Sequence, residues 1–431
     1  MALSAFAVRS GEETRQVQMV CVDDLVPADD ELRRIERLVD WEHVRVTARP
    51  FYKPGGAGRS GIDPAVLVKL ALVLAWRGLP SMRATLKLAA TDMSIRRFLG
   101  FGLTERLPDH STFSHAQTRR FADSSVFEQL FTAVLRQCVD AGLVGARRLV
   151  VDGTHIEADA ALKSLRAELT VVARDAGGGA DPEAESVADA DVSSQPALVL
   201  AEPRSGSTPK RVASNATAVS RTDPDAKLRH KPGHRKHLVH RGQVAVDPKA
   251  RVIIAVQAEH ATGSEADALT DLVTRARFAG HSVAELAADS GYASQDSYAA
   301  LDALKTTALI PPQPAAKHVA AVKARERMRT PTGRDGAFDR QAHAEGAIAE
   351  LKHHGADRAR CRGTRLVQLQ LLAAATVINL KRLIAAHDIG QHQQTGDQTS
   401  HAATITTLTG LLTRVLNEIS RLATTDSSTG S

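Results

Sequence analysis

The chain has 431 residues, 43% of them hydrophobic and only 3% aromatic, with a net charge of +6. That length holds two or three domains with cores of Leu, Val, Ile and Ala, and the mild basic excess favours an anionic partner without naming one. Cys21, Cys138 and Cys361 stand far apart with no C-x-x-C pair, which argues against a disulfide framework or a cysteine zinc site and fits a reduced cytoplasm.

In chain order, the opening MALSAFAVRSGEETRQ turns polar too soon for a signal peptide. The apolar stretches at 65–75 and 369–378 are too short or too mixed to span a bilayer, so no membrane partner is expected. From Leu32 to Asp140 the apolar residues recur at three and four, which predicts an all-α N-terminal domain over 1–140 with tight turns of the helix-turn-helix sort. Asp63 with Pro64 forms an N-cap and first turn; Gly78-Leu79-Pro80-Ser81 breaks that helix, and Ser81 caps the next.

At Arg147 the pattern changes to RRLVVDGTHIEADA, a β-branched run read as a strand ending at Asp152, with Gly153 turning the backbone away at once. A second domain, 141–390, begins here. It is interrupted at 161–212 by a low-complexity insertion rich in Gly, Ala, Ser, Pro and acid, to which no chemistry is assigned. GQVAVDPKARVIIAVQAEHA predicts a hairpin turning at Asp247-Pro248-Lys249. A helix from Glu265 to Ala279, the short strand VAELAADS, a helix from Gln295 to Lys305, the strand TTALIPP and a helix from Asp339 to His353 follow. A long apolar helix, Val367 to Ala386, is suited to pack across the sheet. The tail, 391–431, is polar except for the amphipathic TITTLTGLLTRVLNEISRLA. This element order predicts an RNase H-like α/β domain with a mixed sheet, preceded by the all-α domain.

Three carboxylates fall at the ends of these elements: Asp152, Asp289 and Glu345. Two or three converging carboxylates can hold a pair of Mg²⁺ ions, and such a pair drives in-line displacement at phosphodiester bonds. An Asp-Gly pair is also a common turn former, but Asp289 repeats the geometry of Asp152. Glu157 and Asp159 lie outside the strand end and are expected to face solvent. Tyr292 is read either as a stacking surface for a base or as a packing residue with its hydroxyl at the surface. Glu345 and Lys352 are seven apart, two turns along one helical face, which suits a metal ligand and a phosphate contact; Glu350 is an alternative ligand off that line. Two basic clusters suit phosphate contacts. One, 227–241, includes Lys231 and Arg235; the other, 358–365, includes Arg358, Arg360 and Arg362. A charge run is also often no more than a solvated face. His230, His234, His237 and His240 lack a suitably spaced carboxylate or Cys for a zinc site.

With these motifs in hand, the chain resembles bacterial insertion-sequence transposases of the DDE type. The N-terminal match is GRSGIDPAVLVKLALVLAWRGLPSMRAT, RRFLGF and LPDHSTFSHAQ; the catalytic match is VVDGTHIEADA, DPDAKLRHKPG, HRGQVAVD, AADSGYAS and the run from RQAHAEGAIAELKHHGADRARCRGTR to INLKRL. Together they cover most of 50–118, 148–160 and 220–385, and their joint order is specific. The resemblance implies that Asp152, Asp289 and Glu345 are catalytic metal ligands for two Mg²⁺ ions, with Mn²⁺ able to substitute. It implies Lys352 as the basic residue two turns after the Glu. It also implies double-stranded DNA as partner, both terminal inverted repeats and target, and a homodimer in the synaptic complex. Where relatives carry Tyr, two residues, Arg, three residues and Glu, this chain has Phe338 in the Tyr position and Gln341 in the Arg position, with Arg340 next door and expected to substitute as a DNA contact. Two other readings use the same residues: a non-transposing RNase H-like nuclease, and a domesticated or inactive DNA-binding protein.

Overall fold

The structure, a computed structural model, describes residues 19–52, 61–167, 218–229, 235–259 and 265–388. Its first part is helical: α1 (Glu31–Leu38), α2 (Trp41–Ala48), α3 (Pro64–Trp76), α4 (Met82–Ala89), α5 (Met93–Leu99), α6 (His110–Ala116) and α7 (Val126–Asp140). Side-chain caps start helices where the sequence marks them. The Asp63 carboxylate accepts from the Ala65 N–H ahead of Pro64, and Ser81 Oγ accepts from the Ala84 N–H. Helix α3 is apolar on nearly every face because nearly every face is enclosed. Its Lys69 is buried, and its ammonium is satisfied by the Phe98 carbonyl at 2.6 Å and Glu36 at 3.1 Å.

Among the described residues eight strands follow: β1 (Arg148–Glu157), β2 (Leu165–Ala167), β3 (Ala218–Ser220), β4 (Lys227–Arg229), β5 (His237–Asp247), β6 (Val252–Glu259), β7 (Glu285–Ala287) and β8 (Thr307–Leu309). β2 and β3 form a small ribbon. The other six make one sheet in the order β4-β5-β1-β7-β8, with β6 also on β5. β6, β5 and β1 are antiparallel, then β1, β7 and β8 parallel, the mixed RNase H-like arrangement expected from the element order. Helices α8 (Glu265–Phe278) and α9 (Gln295–Ala303) make the crossovers to β7 and β8.

β1 does not end at Asp152, contrary to expectation. Its pairing with β5 runs from Val150↔Val246 through Asp152↔Val244 to Glu157↔Val239, because the long β5 supplies a partner throughout. Gly153 lies within the strand and makes no turn; a Cβ there would crowd the Tyr292 hydroxyl at 3.2 Å. What stops at this level is the other neighbour. β7 pairs with β1 only as far as Val150↔Ala287, so among the described residues no strand pairs with that side of β1 from Val151 to Ile156, and Glu157 then bridges Arg358.

Residues 319–338, to which the sequence reading gave no element, form α10 (Val319–Arg329) and α11 (Pro331–Asp339), with the Thr330 hydroxyl capping α11 ahead of Pro331. Gly336 lets α11 lie directly on β8; a Cβ there would come within 2.6 Å of Leu309. The helical chain then continues through a π turn at Arg340–Ala344, α12 (Glu345–Leu351) and a second π turn at Lys352–Ala356.

The last described helix, α13 (Thr364–Asp388), is long and apolar enough to cross a membrane, but 72% of its apolar window is buried inside the protein, as in a core helix. It closes the sheet as well as covering it. Gln368 accepts from the Ala258 N–H at 2.6 Å and donates to the Val256 carbonyl at 3.1 Å; Asn379 accepts from the Ile253 N–H at 2.9 Å and donates to its carbonyl at 2.8 Å. The two amides sit about three turns apart on one face, and they satisfy an edge strand that would otherwise offer itself to another chain. On the helical side, Lys381 lies over the Trp76 ring and Asp388 pairs with Arg34 at 2.7 Å. One continuous apolar core therefore runs from Leu32 to Ile384. Residues 168–212 of the expected insertion and the tail from 391, with its amphipathic stretch, lie outside the described residues.

Candidate active site

Asp152 and Asp289 reach the same place by register. Each stands two residues beyond the last β1–β7 pair, Val150↔Ala287, on parallel neighbours, so both carboxylates emerge where the two strands part. Asp289 Oδ1 accepts from the Gly291 N–H at 2.9 Å, which starts a short 3₁₀ turn and anchors the side chain. Asp152 Oδ1 accepts from the Gly153 N–H at 2.8 Å. Burial pushes the Asp152 carboxyl above its ordinary range; Asp289 pushes the same way, while Arg340 and the Gly153 amide pull against them.

Glu345 opens α12, across from β1. It is joined to Asp152 through Arg340, whose Nη2 lies 3.3 Å from Asp152 Oδ2 and 3.9 Å from Glu345 Oε1. The Asp152 side chain is 13% exposed and that of Glu345 61%, so one acid is held and the other is free to turn. Among the described residues no three His, Cys, Asp or Glu side chains stand close enough together to hold a metal as placed. The donor chemistry nevertheless fits a hard divalent cation: all the candidate ligands are carboxylate oxygens, and a cation, the Arg340 guanidinium, already lies between two of them. The alternative ligand, Glu350, is paired with Arg382 on α13.

The surroundings are basic. Lys352 is exposed, and with Arg229 and Arg241 it acts on His155, three residues after Asp152. Burial first, and these three cations next, depress the His155 imidazole to about 4. A cleft of about 570 Å³ opens beside Lys352, between 78–81 and 352–360. It shares Ser81, Asp159 and Arg360 with a cleft of about 690 Å³ that reaches Arg83 and His110 on the helical side.

The other expected contacts separate. Arg358 is exposed beside its bridge to Glu157, and Arg235 is exposed before β5. Arg362 pairs with Asp159 at 3.3 Å. Arg360 turns inward to donate to the Leu79 carbonyl at 2.8 Å, tying the segment after α12 to the turn between α3 and α4. Lys231, His230 and His234 lie outside the described residues. His237 is exposed, and His240 is fully buried against Asp223 at 2.8 Å, so these two do not converge. Tyr292 is buried, with its hydroxyl donating to Gln243 and its ring below Arg241, so it packs behind the site and its hydroxyl is not at the surface. His155 escaped the sequence reading, and Arg241 entered it only as the end of the 227–241 basic cluster, because the two meet only through strand register, His155↔Arg241.

Two family models match the chain: a transposase domain (DUF772) over residues 20–119 and a transposase DDE domain over residues 145–380. No solved structure matches it.

Proposed function

The chain belongs to the DDE transposases and is a DNA transposase, and we propose that Asp152, Asp289 and Glu345 are its catalytic carboxylates, acting with two Mg²⁺ ions for which Mn²⁺ can substitute. The observation that carries this reading is the shared register, which brings Asp152 and Asp289 out together where β1 and β7 part, with Glu345 one Arg340 side chain away. Ions held there supply an activated attacking oxygen and a stabilised leaving oxygen for in-line displacement at a phosphodiester. The chain's own groups do the rest. Asp152, desolvated on β1, and Asp289, anchored by the Gly291 amide, give fixed negative charge, and Glu345 closes the site from the helix. Lys352, Arg340, Arg358, Arg362, Arg235 and Lys231 hold DNA phosphates, which position the duplex without reading its sequence. Arg360, bonded to Leu79, holds the wall of the cleft along which the DNA runs.

The helical domain, 1–140, binds the terminal inverted repeats and pairs two protomers in the synaptic complex. The domain 141–390 cuts and joins, and the protein acts on DNA in the cytoplasm. The test is a joining assay with full-length protein, Mg²⁺, a supercoiled target plasmid and duplexes carrying either the repeat that flanks the gene or a scrambled sequence. Joined product from the repeat duplex alone supports the reading. Equal cleavage of both duplexes without joining favours a non-transposing nuclease, and binding without cleavage a domesticated or inactive protein.

A further inference from the structure

Arg340 lies five residues before Glu345 on a helical run that is not α throughout. The turn Arg340–Ala344 is a π turn, so it closes on the fifth residue where an α turn closes on the fourth. The residue stacked one turn ahead of Glu345 is therefore Arg340 and not Gln341. From that position the guanidinium reaches Asp152 at 3.3 Å and Glu345 at 3.9 Å. Its bonding there is incomplete. Nε is buried with no hydrogen-bond partner, and the contact with Asp152 is long for a charge-assisted pair.

Building on the assignment of the three carboxylates, we infer that Arg340 is the resident counter-cation of this site, competing with divalent metal for Asp152 and Glu345 and moving to a DNA phosphate when metal enters. The competition follows from charge and place. One guanidinium between two acids neutralises them while it stays, and a divalent ion drawn to the same oxygens is repelled until it leaves. Released, Arg340 has its full set of donors for a phosphate, a planar fork that a phosphate satisfies better than its present contacts do. Metal and DNA then help each other through one side chain, and by linkage the help is mutual. The protein alone binds metal weakly, and the complex with an end duplex binds it well.

The test is Mn²⁺ affinity of the full-length protein, followed by electron paramagnetic resonance, without DNA and with the repeat duplex bound. Without DNA, Arg340→Gln and Arg340→Met should each bind Mn²⁺ about tenfold more tightly than wild type. With DNA bound, where Arg340 has another partner, the gap should shrink to about twofold or less. Asp152→Asn should remove the site's signal. Thermal melting identifies a variant that fails to fold, in which case the other is read. An affinity in the folded variants equal to or below wild type overturns the inference while leaving the carboxylate assignment intact. Persistence of the Mn²⁺ signal in Asp152→Asn overturns both.

Discussion

Two carboxylates on adjacent strands, Asp247 buried and Asp152 mostly so, show opposite chemistry. Asp247, at the end of β5, accepts from the amides of Gly145, Ala146 and Lys249 and from His281 Nε2 at 3.0 Å, while Val283 N–H donates to the other His281 nitrogen and fixes the tautomer. Burial alone would raise its pKa, but His281 and the three amides outweigh burial and hold it below the ordinary range. Asp152 is also mostly buried but has one amide, one long contact to Arg340 and the repulsion of Asp289, and its pKa is raised. A carboxylate with a full set of donors is a fixed joint of the fold; one short of donors is held ready for a cation.

The contrast can be broken at either end, and the largest stability effect should fall on Asp247. Asp247→Ala leaves His281 and three amides unmet and should cost about 3–5 kcal/mol in urea unfolding. Asn379→Leu, which strips the partners of Ile253 N–H and carbonyl at the sheet edge, should cost about 2–4 kcal/mol in the same measurement. Asp152→Asn should move stability the other way. A raised carboxyl contributes stability that is complete below its ordinary pKa of 3.8 and lost as pH rises through the raised value. The metal-free variant should therefore melt above wild type at neutral pH, with the gap closing as the solution is acidified. Asp247 has the reverse sign: its contribution is present above 3.8 and lost as pH falls through the lowered value. A further pH effect belongs to His155, whose depressed imidazole costs stability as pH falls from about 6.5 to about 4. In His155→Gln, melting curves over that window should be flatter.

The sequence was most legible where side-chain pattern and backbone agree. Caps at Asp63 and Ser81, the hairpin at Asp247-Pro248-Lys249 and the apolar length of α13 each carry a local physical signal, and the structure contains all of them. Gly153 misled because an Asp-Gly pair signals a turn locally, whereas the β5 ladder and the Tyr292 hydroxyl decide its conformation from far along the chain. α10 and α11 had no element assigned to them; Pro331 begins α11 and Gly336 lets it lie on β8, a fit set by the sheet beneath and not by local spacing. Of the candidate site, the acids could be read from motif and position. Arg340 was expected only as a substitute DNA contact; its reach to both Asp152 and Glu345 was not legible, since it depends on a π turn that no residue spacing announces.

The central claim is that Asp152, Asp289 and Glu345 together make the cutting centre. It is tested most directly by nicking of a duplex carrying the element's end, with Mg²⁺ or Mn²⁺, by wild type and by Asp152→Ala, Asp289→Ala and Glu345→Ala, with binding to the same duplex measured in parallel. The account predicts metal-dependent nicking at the end, lowered on the order of 10³-fold or more by each substitution, with binding kept. A variant that binds and nicks at the wild-type rate would contradict it.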